Sequence, residues 1–343
     1  IMAIEYYKGF DTYVIYGEES VYGTPVAPGT TNFPGRIQSF NLNMSNNSFR
    51  SQGLGDGRNA TGIYLGPLDV SGSMDFQLSD PTFLQYAIGT VTGAGSVASP
   101  YQIEEAENIG FDAANIPSLT LEVGSEGDTS DDEITISGVV LNNLTITATQ
   151  GEIITCSADW VAQTVLASTT LQVVAAQSDV PFMFHDATCT VGSDTLQCTS
   201  FSVTISNNIT PYRELGSRLI TQPSAGLRRY DFTITLRKKV DTTASTLSGL
   251  ELRGLFLGAA TTTLAPSADN QNASNTVSLD INEGIGAAPD RVLNIDLASA
   301  SFDSWSEPIT LDGGVIEVTV TGMALAGLAD GAVNVPIRWY AIA

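Results

Sequence analysis

SFNLNMSNN at 39–47 returns as SFSVTISNN at 200–208, 161 positions later. Ser39/Ser200, Phe40/Phe201, Ser45/Ser206, Asn46/Asn207 and Asn47/Asn208 are identical, and Leu42/Val203 and Met44/Ile205 keep the same alternating phase. The register persists to Leu54-Gly55 against Leu215-Gly216. Self-similarity that preserves strand phase over a fixed offset is the mark of a duplicated structural unit. A chain of 343 residues has room for two units of that length, each with its own core.

Alternation of apolar with polar or small residues recurs in both halves. Leu119, Leu121 and Val123, and Leu144 and Ile146, carry it in the first. Phe232, Ile234 and Leu236, Val277, Leu279 and Ile281, Leu293, Ile295 and Leu297, and Ile316, Val318 and Val320 carry it in the second. Each run reads as a strand with one buried face, and the Gly, Asn and Asp turns between them point to antiparallel sheets. The expected fold is mainly β: two tandem antiparallel β-sandwich or barrel domains of one type, each with one short α-helix. The first helix starts at Asp80-Pro81, buries Phe83, Leu84, Ala87 and Ile88, and stops at Gly89; the second is expected over 243–256. The domains are expected at 1–165 and 181–343. Between them, a stretch rich in small residues and with no charge before Asp179 (166–180, within the longer run 163–180) reads as an extended linker.

The net charge of −23 is unevenly distributed. No Lys or Arg occurs from Asn59 to Tyr212, a stretch with 18 acids, whereas eight of the 14 basic residues fall between Arg213 and Arg253. An acidic surface cannot grip a nucleic-acid backbone by counterion release. No apolar run is long enough for a membrane helix, and the first residues lack the basic start and apolar core of a signal peptide.

Reaction chemistry has little to build on. His185 is the only histidine, and no serine sits in a G-x-S-x-G setting. Asp128, Asp131, Asp132 and Glu133 supply clustered oxygens without EF-hand spacing, so a solvated turn is the default over calcium. GLGDG at 53–57 lacks both the dinucleotide-binding spacing and a phosphate-binding lysine. No cofactor and no metal are expected. The three cysteines are too few for a disulfide scaffold. A two-residue turn at Ser193-Asp194 would set Cys189 opposite Cys198, and reduced thiols are the favoured state.

Self-association remains. Residues 48–66 and 209–226 form two long connections after the same element of the repeat, and such loops are commonly functional or ordered by a partner. The basic edge containing Arg228, Arg229, Arg237, Lys238 and Lys239 suits an acidic loop, Asp128, Asp131, Asp132 and Glu133, on a neighbour, where charge sets orientation and register.

Three segments carry a family resemblance: YGEESVYGTPVAP (16–28), with an E-x-x-x-G-T-P pattern; SFSVTISNNITPYRELG (200–216); and LNNLTITATQGEIITCSADWVA (141–162). The chain resembles the tail tube proteins of long-tailed bacteriophages and related archaeal viruses, in the form whose domain is duplicated. That resemblance implies a virion protein assembled in the host cytoplasm, with no enzymatic step and no membrane. It implies homo-oligomerisation as stacked trimeric rings of pseudo-sixfold symmetry. Double-stranded DNA passes through an acidic lumen without specific binding, and tape-measure, terminator and distal tail proteins are partners. The two long loops become ring-stacking candidates, with Arg50, Leu54 and Arg58 on one and Arg213, Leu215 and Arg218 on the other. The basic cluster is then expected at interfaces or outside. The alternatives are an extracellular adhesion or carbohydrate-binding β-sandwich, or a distal-tail or baseplate component.

Overall fold

A computed structural model describes residues 6–105, 116–127, 130–168, 171–177, 179–192, 194–238, 253, 256, 275–283, 291–309, 311, 314–330 and 333–341. The alternating runs form strands where one-sided burial requires them. In the first half these are β1 (Thr12–Glu18), β2 (Arg36–Ser45), β3 (Phe49–Ser51), β4 (Gly62–Tyr64), β5 (Asp69–Gln77), β6 (Gly89–Thr92), β7 (Tyr101–Glu105), β8 (Leu119–Ser125), β9 (Asp132–Thr149), β10 (Thr155–Ala162) and β11 (Thr164–Ser168). In the second they are β12 (Ala187–Val191), β13 (Asp194–Leu196), β14 (Cys198–Ser206), β15 (Thr210–Tyr212), β16 (Gln222–Ser224), β17 (Arg229–Arg237), β18 (Asn275–Glu283), β19 (Arg291–Ser306), β20 (Glu317–Ala324), β21 (Ala326–Asp330), β22 (Val333–Val335) and β23 (Ile337–Ala341).

Eight strands make one antiparallel central sheet in the order β2-β5-β10-β9-β14-β17-β20-β19. Its two halves have the same internal order and meet where β9 pairs with β14. Each half is covered on its apolar face by a second sheet. The first cover sheet runs β1-β8-β9-β11. The second runs β13-β12-β18-β19-β23-β7-β6, so the β6–β7 hairpin of the first half completes the cover of the second. One continuous core, from Met74, Phe76 and Leu121 to Phe232, Ile234 and Leu279, fills the space between layers. The architecture is a pair of sandwiches; among the described residues the central sheet is open, and neither half closes into a barrel.

Two long strands bend alike. β9 and β19 each cross from cover sheet to central sheet at a residue with positive φ, Gly138 (67°) and Ser299 (52°). Each then bulges against its neighbour, skipping Asn142 in one case and Asp303 in the other. Bulges redirect a strand and increase its twist, which lets one long strand serve two layers. Packing is exchanged rather than repeated. Gly72 on β5 lies opposite Trp160 on β10, whereas Phe232 on β17 lies opposite Gly322 on β20. A methyl group added at either glycine would run into that ring and a neighbouring carbonyl oxygen, so one bulky ring fills each site from opposite strands.

The first helix forms as a 3-10 turn, Pro81–Leu84, continuing into α1 (Gln85–Ile88). The Asp80 side chain accepts from the Thr82 amide, and Phe83, Leu84, Ala87 and Ile88 are buried. The second expected helix, 243–256, lies outside the described residues except for Arg253 and Phe256. Of the expected linker, 166–168 belong to β11, because Thr164, Val165 and Leu166 continue the alternation and pair with β9. Residues 171–177 then cross the first cover sheet as a strap. Gln172 donates from its amide to Tyr13 Oη (3.0 Å) and from Nε2 to Glu122 (2.8 Å).

The cysteine hairpin is corrected by two residues. Cys189 pairs with Leu196 and Val191 with Asp194, placing Gly192 (φ 63°) in the turn, where a positive φ suits it. Cys198 instead opens β14, and all three thiols are free.

Candidate functional site

The repeated Ser-Asn-Asn ends β2 and β14 and opens a two-stranded hairpin, β3–β4 in one case and β15–β16 in the other. The second asparagine is left-handed in both, Asn47 at φ 41° and Asn208 at φ 50°. Asparagine tolerates that region better than most residues, and here its side chain also closes the hairpin base. Asn47 Nδ2 donates to Pro67 O (3.2 Å), and Asn208 Nδ2 to Leu227 O (2.7 Å).

The first asparagine separates the copies. Asn207 is 1% exposed. Its Nδ2 donates to the carbonyls of Ala87 (2.9 Å) and Leu141 (3.1 Å), its amide to Asn142 O (2.8 Å), and its Oδ1 accepts from Arg228 Nε (3.0 Å). Asn46 is exposed, and its Oδ1 accepts from Arg218 Nη2 (2.8 Å). The strands before them differ in the same way. Ile205 is 2% exposed because β14 is sandwiched between β9 and β17, while Met44 is 60% exposed because, among the described residues, β2 pairs with β5 alone. Residues 301–306 of β19, at the opposite end, pair only with β20 among the described residues. Open strand edges invite pairing with another chain.

Hairpin β15–β16 lies on the rim of the first half. Arg213 ion-pairs with Asp69, and Arg218 Nε donates to Gly66 O (2.7 Å). Leu68 N donates to Arg218 O (2.9 Å), and Ile220 is buried. The tip at Leu215 remains fully exposed. Among the described residues hairpin β3–β4 has no such support; Arg50, Leu54 and Arg58 are all exposed.

The other expected charge contacts have partners within the chain. Arg228 bonds Asn207, Arg229 pairs with Asp231 (3.0 Å), Arg237 reaches Gln150 (3.1 Å) and Glu317 (3.9 Å), and Lys238 pairs with Glu307. Lys238, and then Arg253 beside it, hold the Glu307 carboxyl below its usual range. Asp131 accepts from Gly127 N (3.2 Å) and Asp132 is exposed. Glu133 is not in the loop but buried in β9, where burial and then the charge of Glu122 raise its pKa. Asp128 and Lys239 lie outside the described residues.

Glu19, the acid of the E-x-x-x-G-T-P segment, has a structural task that residue spacing alone did not disclose. Its buried carboxylate accepts from Gly23 N (2.9 Å), Ser118 Oγ (2.8 Å), Thr120 Oγ1 (2.9 Å) and Gly138 N (2.8 Å). It therefore ties the N-terminal arm to β8 and to the bend in β9. His185 is exposed and lies 3.6 Å from Asp186. Among the described residues, no group of three or more His, Cys, Asp and Glu side chains could hold a metal, and no helix is long and apolar enough to cross a membrane.

The described residues thus form a β-protein with open strand edges and two exposed hairpins. Residues 9–324 match the family model described as phage tail tube protein, and the chain belongs to that family. It is a structural, non-enzymatic component of a phage-type tail. Among solved structures, the anti-feeding prophage cap, a tube-terminating cap studied by cryo-EM, is similar over 50% of this chain and 97% of its own, at 15% identity and a TM-score of 0.33. No curated protein matches.

Proposed function

We propose that the chain polymerises into the tail tube, three chains to a ring, by repeating between chains the β9–β14 seam it contains. The observation that carries this reading is the pair of open edges at the ends of the central sheet. They are the edges whose counterparts are joined inside the chain. Transferring the internal register sets Ser45 opposite Ser304, Met44 opposite Trp305 and Asn43 opposite Ser306 of the neighbouring chain. Met44 then gains the cover that Ile205 has. The domains 1–165 and 181–343, joined by 166–180, act as alternate units of the ring. The hairpin tips at Leu54 and Leu215 are the parts left to reach an adjacent ring.

With both cover sheets outside, the bore is lined by the uncovered face of the central sheet. That face is mainly Ser, Thr and Asn, including the hydroxyl pair Thr145–Thr204 (2.9 Å) at the internal seam. Its charges include Asp69, Asp75, Asp159, Asp231 and Glu317 against Arg229 and Arg237. In this reading two members of the basic cluster do stand in the bore, each beside an acid. The wall is mildly acidic and hydroxyl-rich, a surface over which a polyanion slides without being held during ejection. Tape-measure, terminator and distal tail proteins would occupy the bore and the tube's two ends before and after DNA passage.

Electron microscopy of the purified chain tests the reading. Tubes of uniform diameter are expected; single closed rings favour a baseplate-type component, and monomers at all concentrations contradict it.

A further inference from the structure

The clasp between hairpin β15–β16 and the first half has an empty counterpart. Thr221 N bonds Tyr212 O (2.9 Å) in one hairpin and Thr61 N bonds Ser51 O (3.0 Å) in the other, which aligns the two residue by residue. Arg218 precedes Thr221 by three positions, as Arg58 precedes Thr61, and Arg213 follows Tyr212 as Gln52 follows Ser51. Arg218 grips Gly66 O and Asn46 Oδ1; residues 48–61, with Arg58 among them, are exposed. The receiving site is also duplicated. Gly66 N bonds Asn46 O (3.0 Å) and Gly226 N bonds Asn207 O (2.9 Å), yet Gly66 is buried under its hairpin and Gly226 is exposed.

We infer that Arg58 is the latch of the interchain seam, donating to the exposed Gly226 carbonyl of the neighbouring chain. The seam differs from the internal one in one respect. The ion pair Arg213–Asp69 corresponds to Gln52 facing Arg229, so the contact between chains lacks a salt bridge that the contact within the chain possesses. A neutral residue at 52 is what the arginine opposite permits. This inference rests on the ring reading above.

The test is the critical concentration for tube assembly, followed by light scattering and electron microscopy, with thermal unfolding of the unassembled chain as control. Arg58→Ala leaves unfolding unchanged and raises the critical concentration about tenfold or more, as loss of a charge-assisted contact requires. Arg58→Lys recovers part of it. Gln52→Arg opposes Arg229 and also raises the critical concentration; Gln52→Arg with Arg229→Asp brings it back to the level of Arg229→Asp alone or below. Assembly of Arg58→Ala at the wild-type concentration overturns the latch, and an effect of Gln52→Arg that is indifferent to residue 229 overturns the pairing. If the wild-type chain forms no ring or tube, the ring reading fails first.

Discussion

Asn46 and Asn207 hold the same place in SFNLNMSNN and SFSVTISNN but stand in two environments, and alanine should affect them unequally. Asn207→Ala removes both donors from the buried carbonyls of Ala87 and Leu141. A buried group left without its partner costs about 1–3 kcal/mol, so the variant should lose about 2–5 kcal/mol. Arg228 is partly exposed and can turn its Nε to water, adding little. Asn46 is exposed and accepts one bond from an exposed arginine, so Asn46→Ala should cost under about 1 kcal/mol in the isolated chain. Urea unfolding below the assembly concentration measures both, with the midpoint moving at constant slope. Assembly should reverse the order of interest: Asn46→Ala, nearly silent in folding, raises the concentration needed for tubes, because Asn46 takes on the burial of Asn207 at the new seam. Equal destabilisation by the two substitutions, or tube growth by Asn46→Ala identical to wild type, would refute the equivalence of the seams.

Glu19→Ala should cost about 3 kcal/mol or more, since it strands the Gly23 and Gly138 amides in the interior; a change below about 1 kcal/mol in urea would contradict that role. Glu307 has a folded pKa held below its unfolded value, so its contribution is present above the unfolded pKa, about 4.3, and is lost as pH falls through the folded one. Glu307→Gln should therefore lower stability by about 1–3 kcal/mol at pH 7 and converge with wild type in acid; a pH-independent difference argues against it. Burial lifts the Cys156 thiol, and the Cys189 thiol is lifted first by its hydrogen bond with Cys198 and then by burial. A thiol reagent should modify Cys198 first in the native chain and all three only after unfolding, and rapid native labelling of Cys156 would contradict the structure.

Much of the central sheet was legible in the sequence, because its strands bury one face and so alternate strictly. Phe201, Val203 and Ile205 announce β14 as plainly as Phe232, Ile234 and Leu236 announce β17. Alternation reports which face is covered but not which edge is paired, and for that reason Asn46 and Asn207 look alike until β9 is found beside only one of them. The Cys189 register differs from the expected one because Gly192, one position before Ser193-Asp194, takes the turn. Glu133 read as a loop acid in an acidic run, yet β9 begins early and draws it under the sheet. The support of hairpin β15–β16 by Asp69, Gly66 and Asn46 depends on residues about 145 to 170 positions away, a separation no local pattern encodes.

The most direct test is a helical reconstruction of assembled tubes at a resolution that separates strands. The expected map shows β2 of one chain hydrogen-bonded to residues 304–306 of the next, copies alternating around the ring, Arg58 on the neighbour's Gly226 carbonyl and the Ser, Thr and Asn face lining the bore. A ring joined through other edges, or one with that polar face turned outward, would contradict it.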